Sequence, residues 1–198
     1  DMIYFASAHW HLPACMITAS HNPKQWNGLK MMAKDIDLLG QDSGLGEIKN
    51  LAVRGNWPDP KEGSDIPDGN VVLVHGKTIR KNIFEDYSRH VLSFIDTDRI
   101  RPMRIAIDTG SGIAGPVLKQ LLEKLPLEYK ALYFDPDGDF PYHNPNPSLS
   151  ENLQDLIAEV QNNHYHFGCA FDGDGDRIVF IDENGEVVSP SIIGAIMS

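Results

Sequence analysis

Cysteine and positive charge are both scarce in this sequence. The only two cysteines in 198 residues, Cys15 and Cys169, lie in apolar runs that read as buried strands, so there is no disulfide framework and a reducing, cytoplasmic setting is expected. Lysine and arginine number 17 against 28 acidic residues, a formal net charge of -11. That balance argues against a nucleic-acid or anionic-membrane partner, either of which needs a positive surface, but leaves room for a local pocket that takes a small anion. Long hydrophobic runs are absent too: nothing approaches the ~20 apolar residues of a membrane span. What is present, 41% hydrophobic and 23% charged, is the composition of an ordinary globular protein with enough chain for one or two domains.

Residues 1–12, DMIYFASAHWHL, read as a helix already under way, and SPSIIGAIMS at the other end as the opening turn of another, so the sequence is expected to be a piece of a longer chain. ACMIT is a short apolar run bounded by turn residues, hence a strand, with GLKMM as its neighbour and ASHNP in the connection. A helix is predicted from near Ser43, with Leu45, Ile48, Leu51 and Ala52 on one side, ending at Gly55 before a linker from Asn56 to Gly69. The spacing of Ile79, Ile83, Phe84, Tyr87, Val91, Leu92 and Ile95 predicts a long amphipathic helix from Thr78 to Ile95. There follow RIAID (strand), a glycine-rich turn, a helix over 114–125, KALYF (strand), a proline-filled loop, a helix from Leu149 to about Asn162, and FGCAF (strand). Strands alternating with helices of this length imply βαβ units on a parallel sheet, and RIVFID and EVV, split by ENG, read as a closing hairpin. The expected class is α/β, with mixed and parallel sheets flanked by helices.

The chemistry gathers in two places. AFDGDGDRIVF alternates Asp172, Asp174 and Asp176 with Gly173 and Gly175 directly after a strand. Glycines let the backbone curl so that successive carboxylates converge, which suits a hard cation such as Mg²⁺ with its demand for oxygen ligands. A solvated acidic turn is the plain alternative. An EF-hand count places Glu183 at position twelve, but Arg177 stands where that loop needs glycine, and strands flank it instead of helices. Asp135, Asp137 and Asp139 repeat the alternation in FDPDGDFPYHNPNP, where Pro136 and the prolines beyond it point to turn chemistry. The second place is MITASHNPKQWNGLK, in which Ser20 lacks the G-x-S-x-G elbow of a serine hydrolase and is otherwise a turn or cap serine.

IDTGSGIAG spaces Gly110, Gly112 and Gly115 as G-x-G-x-x-G between a strand and a helix, with Asp135 placed 20 residues after Gly115. An NAD-binding oxidoreductase is therefore the competing expectation, although it leaves both ASHNP and DGDGDR without a task. His9, His11, His75, His90, His143, His164 and His166 show no ligand spacing and read as structural histidines.

TASHNP with NGLK beyond it, the loop DGDGDR, and GDFP…NPNP between them together resemble the α-D-phosphohexomutases, most closely the bacterial phosphomannomutase/phosphoglucomutase branch. The resemblance implies repeated α/β domains: residues 1–72 as the later part of a first domain, 73–182 as a second, and 183–198 as the start of a third. It implies that Ser20 is a phosphorylated serine and that Mg²⁺ is held by that phosphoserine with Asp172, Asp174 and Asp176. Lys30 resembles the family's proton shuttle, His21 and Asn22 would orient the serine loop, and Arg177 would contact phosphate. The implied partners are a hexose phosphate (mannose first, glucose second), a hexose 1,6-bisphosphate, and the remaining domains of the same polypeptide. A non-catalytic paralogue would keep the fold while losing one of the paired motifs, and both are intact.

Overall fold

The computed structural model describes residues 1–55 and 79–198. The expected linker, His75, the start of the long helix at Thr78 and the 72/73 domain boundary lie outside the described residues.

Helix α1 (Met2–Trp10) leads into strand β1 (Ala14–Ile17), which pairs antiparallel with β2 (Leu29–Met32), Ile17 facing Leu29. The Thr18 N–H donates to the Gly28 carbonyl at 3.0 Å and closes loop 18–28, so the serine segment is held at both ends by one hairpin. Helix α2 (Gly46–Arg54) stops at Gly55, whose φ of 64° reverses the chain.

The second unit is a four-stranded sheet. Helix α3 (Phe84–Leu92) precedes β3 (Met103–Asp108), α4 (Ala114–Leu122), β4 (Leu127–Leu132), α5 (Gln154–Asn163), β5 (Phe167–Phe171), β6 (Ile178–Asp182) and α6 (Pro190–Met197). The order is β4-β3-β5-β6, parallel except for the β5/β6 pair. Side chains alternate across β3: Ala106 faces Leu156 and Val160 of α5, while Ile105 and Ile107 face Leu122 of α4. With helices on both faces, the central strands are apolar in their middles, over Ile105–Ile107 of β3 and along β5, with Arg104 and Asp108 at either side of the β3 run. Among the described residues no helix is long and apolar enough to cross a membrane.

The expected α/β class holds, with local corrections: Cys15, expected in a buried strand, is exposed on β1, the helix expected from near Ser43 starts at Gly46, and the long helix ends at Leu92 instead of Ile95. The long helix begins at Phe84, after a turn in which the Asn82 carboxamide oxygen accepts the Phe84 N–H at 2.9 Å; Ile79, 73% exposed, is no part of its buried face. Helix α4 ends at Leu122 instead of 125. Strand β4 starts at Leu127, three residues before the expected KALYF, since Pro126 ends helical geometry and pairing with β3 runs from Met103↔Leu127 to Asp108↔Leu132. EVV forms no strand: a single bridge, Ile181↔Val187, remains once the Asp182 carboxylate has taken the N–H groups of Asn184 and Glu186 into a turn.

Candidate functional site

The two motif segments meet. Strand β5 delivers Asp172 at its C-terminal end, and loop 172–177 then folds against loop 18–28. A Cβ placed on Gly173 would lie 2.3 Å from the Ser20 carbonyl oxygen, so the two backbones touch at a point where only glycine fits.

Ser20 sits at a left-handed φ of 54°. Its N–H donates to Thr18 Oγ1 at 2.9 Å, and the Thr18 hydroxyl donates onward to Asp174 Oδ2 at 3.0 Å. Thr18 was not among the expected site residues; its signal was its place two residues before the serine, in reach of the local hydroxyl-to-backbone turn. The Ser20 hydroxyl donates to Asp172 Oδ2 at 2.9 Å, accepts from Arg177 Nη2 at 3.1 Å, and lies 3.2 Å from His21 Nδ1, which itself accepts from the same guanidinium.

Asp172 is fully buried and fully engaged. Its Oδ1 takes the N–H groups of Asp176 and Arg177, both at 3.0 Å, and its Oδ2 takes Arg177 Nε at 2.9 Å as well as the serine. The peptide loop thus wraps around its own first carboxylate. Lys30, on β2, reaches Asp174 Oδ2 and Asp176 Oδ2, each at 2.6 Å. Burial disfavours the Lys30 ammonium, but these two hydrogen bonds outweigh it and hold the lysine well above its usual value. For Asp174, burial pushes the carboxyl upward while the bonds from Lys30 and Thr18 win and hold it below the ordinary carboxylate range. Three carboxylates against Lys30 and Arg177 leave one negative charge uncompensated beside Ser20.

The donor set fits a hard divalent cation. One oxygen each from Asp172, Asp174 and Asp176 lies within 4.8 Å of the others, and this is the one such acidic group among the described residues. Asp174 Oδ1 is buried without any hydrogen-bond partner, an arrangement a bound cation would satisfy. Glu183 is exposed in the turn after β6, outside this cluster, which disposes of the EF-hand count. Of the other expected residues, Asn22 enters through its backbone, N–H to the Ala19 carbonyl at 3.0 Å, and its side chain is exposed.

The glycine-rich turn has a different use from the one a dinucleotide would make of it. A Cβ on Gly112 would meet the Gly173 carbonyl oxygen at 2.7 Å, and one on Gly115 would meet the Phe134 carbonyl oxygen at 2.0 Å. The space next to these glycines is filled by the metal loop and by the chain after β4, not left for a pyrophosphate. Sequence reasoning also missed an ion pair from Lys24 of the serine loop to Asp139, and the buried pair His143–Asp108 behind the turn. Neither had a spacing signal, because each joins segments far apart in the chain.

A hairpin thus presents Ser20, at its left-handed φ, to the acidic loop that follows β5, beside a sheet with helices on both faces. The comparisons place the chain. Residues 85–185 match the family described as phosphoglucomutase/phosphomannomutase, alpha/beta/alpha domain II, and residues 1–46 match domain I of the same family. The chain belongs to this family, the α-D-phosphohexomutases. It is 38% identical to a phosphoglucomutase of Neisseria meningitidis serogroup A over 96% of its length and 38% of that protein's. It is 33% identical to a phosphomannomutase of Vibrio cholerae over 95% of its length and 39% of that protein's. A crystal structure of a phosphoglucomutase/phosphomannomutase family protein from Burkholderia thailandensis superposes with a TM-score of 0.72 at 29% identity, covering 90% of this chain and 35% of the other. A Thermus thermophilus structure, at 23% identity and a TM-score of 0.75, shares the fold over 96% of this chain and 41% of that one. The chain therefore spans less than half the length of the relatives it matches.

Proposed function

We propose that this chain is the serine- and metal-loop part of a phosphohexomutase that interconverts hexose 6-phosphate and hexose 1-phosphate through a phosphoserine at Ser20 and a hexose 1,6-bisphosphate. The observation that carries it is the Ser20 hydroxyl held 2.9 Å from Asp172 and 3.1 Å from the Arg177 guanidinium, at the contact of the two loops. Relatives named phosphoglucomutase and phosphomannomutase support the reaction class.

In the forward half-reaction the bond from Ser20 Oγ to phosphorus breaks as a sugar hydroxyl oxygen bonds to that phosphorus; the reverse step, with the other phosphate of the bisphosphate, restores the phosphoserine. Arg177 would hold phosphoryl oxygens with its planar fork. Lys30, an ammonium as long as Asp174 and Asp176 hold it, would give a proton to the departing Ser20 oxygen and be recharged by the proton the attacking sugar hydroxyl loses, so that none is left over. Thr18 and His21 fix the serine backbone and hydroxyl, and Asn22 closes the turn that carries Ser20 and His21 through its N–H to the Ala19 carbonyl. Asp172, Asp174 and Asp176, with a phosphoryl oxygen on Ser20, would hold Mg²⁺, which supplies charge neutralisation and alignment for the transfer.

Within the same proposal, residues 1–72, 73–182 and 183–198 are parts of three successive domains, the further domains of the polypeptide complete the sugar site, and the setting is cytoplasmic. Mannose phosphate is the first choice of substrate and glucose phosphate the second. The test is a coupled assay of the full-length protein with mannose 1-phosphate and glucose 1-phosphate, Mg²⁺ and a trace of hexose 1,6-bisphosphate. Ser20→Ala is expected to remove turnover without unfolding the protein, and the ratio of the two rates names the sugar. Undiminished turnover in Ser20→Ala overturns the reading.

A further inference from the structure

We infer that His143 is a positioning residue for the serine and metal loops, held as an imidazolium between Asp108 and the Asn144 carbonyl so that Pro145 stays wedged behind Gly173. The inference rests on the phosphohexomutase reading for its effect on turnover, but not for the ion pair itself.

His143 Nε2 lies 3.0 Å from Asp108 Oδ2 and Nδ1 lies 3.0 Å from the Asn144 carbonyl oxygen. A carboxylate and a carbonyl offer lone pairs and no proton, so both ring nitrogens donate only when both carry hydrogen. The side chains of His143 and Asp108 are 14% and 1% exposed, and without the histidine ring the carboxylate would be a buried charge facing only the Gly110 N–H, which it accepts at 2.7 Å. The hydrogen bond to Asp108 raises the histidine above its usual value against the opposing effect of burial, with the Asn144 carbonyl adding to it. The remaining groups around the ring are compatible with a cation. The Tyr133 and His143 rings meet with centroids 5.4 Å apart and planes 72° apart, Tyr142 stacks on Tyr133, and Asp155 of α5 accepts the Tyr133 hydroxyl at 2.7 Å.

The pair stands behind the site and reaches it through backbone packing. Pro145 is fully buried, with its Cα and Cβ 3.2 Å from where a Cβ on Gly110 would stand. Its Cγ lies 3.4 Å from the corresponding point on Gly173, the glycine that abuts the Ser20 carbonyl. Asn144, next to the histidine, sends its amide to the His21 carbonyl at 3.4 Å. Fixing His143 therefore fixes two neighbours that hold the serine loop and the metal loop together. Loss of one ring proton breaks one of the two hydrogen bonds. The clamp is intact below the raised histidine pKa and is released as pH rises through it.

The experiment pairs kinetics with NMR on the full-length protein. His143→Gln, which cannot titrate, is expected to lower kcat about tenfold at neutral pH with KM little changed, the order of loss that slight misplacement of reacting groups causes. It should also remove a basic limb from the kcat profile that Ser20 and Lys30 chemistry would not remove. The His143 Cε1 proton in the unaltered protein should titrate above the ordinary histidine range, and Asp108→Asn should move it down. A histidine that titrates normally in both proteins, or a His143→Gln enzyme with unchanged kcat and unchanged profile, overturns the inference. If the unaltered protein has no mutase turnover, the phosphohexomutase reading fails while the NMR titration still decides the pair.

Discussion

The molecule carries the same acidic alternation twice and uses it in opposite ways. Asp172 and Asp174 turn inward, the first fully buried and the second 6% exposed, while Asp176 stays exposed at the rim, and one oxygen from each of the three converges within 4.8 Å. Asp135, Asp137 and Asp139 are exposed; Asp137 accepts the Asp139 N–H at 2.9 Å to build a turn, and Asp139 pairs with Lys24. The difference lies in what surrounds the carboxylates. In the first loop Gly173 and Gly175, the latter at φ 73°, let the chain fold onto Ser20 and Ala114, and Lys30 and Arg177 neutralise what is buried. In the second, Pro136 replaces a glycine, Gly138 has open space around it, and the carboxylates stay at the surface. The alternating aspartates converge where the backbone can close and Lys30 and Arg177 stand against them.

The sharpest break of that comparison is a neutralised carboxylate in each loop. Asp174→Asn is expected to weaken Mg²⁺ binding and turnover on the order of a hundredfold, because it removes a charge whose second oxygen has no other partner. Asp137→Asn, which retains an oxygen for the Asp139 N–H, should leave both nearly unchanged. Titration of Mg²⁺ by calorimetry together with the coupled assay checks this, and equal effects in the two loops would refute the assignment.

The contrast was legible in the sequence as far as it depended on glycine against proline, and so were the strands and helices with clear periodicity. The convergence of Ser20, Lys30, Asp172, Asp174, Asp176 and Arg177 was carried by family resemblance, since the loops lie about 150 residues apart and no local pattern joins them. Thr18 was overlooked because a threonine at a strand end reads as a strand residue. His143 and Asp108 were overlooked because burial, which makes their pairing matter, is a property of the fold and leaves no spacing in the chain. The long helix was overextended because its apolar pattern continued past Asn82, where the chain turns before Phe84.

Next in size is a methyl group added to one glycine of each loop. Gly173→Ala drives a Cβ to within 2.3 Å of the Ser20 carbonyl and is expected to cost about 1–3 kcal/mol, as overpacking of well-fitted backbone does, with turnover falling alongside because the loops must part. Gly138→Ala meets nothing within 4 Å and should be neutral in thermal denaturation. Matching melting temperatures for the two variants would mean that the serine and metal loops are not in contact.

The smallest effect belongs to the bridge between the second acidic loop and the serine segment. Lys24 and Asp139 are 66% and 67% exposed, so water screens their attraction and both side chains lose freedom in forming it. Exposed pairs of this kind contribute roughly 0–1 kcal/mol, less as salt is added. Lys24→Ala is therefore expected to shift the melting temperature by no more than about 2–4 °C at low ionic strength, what 1 kcal/mol gives in a chain of this size, and not at all at high. Lys30, though it also bridges carboxylates of an acidic loop, has a side chain 34% exposed and faces Asp174 at 3% exposure, so Lys30→Ala should keep its larger effect in the same salt series. If the two lysine variants respond alike to salt, burial does not separate the two loops, and the account of why one alternation binds a cation while the other builds a turn is wrong.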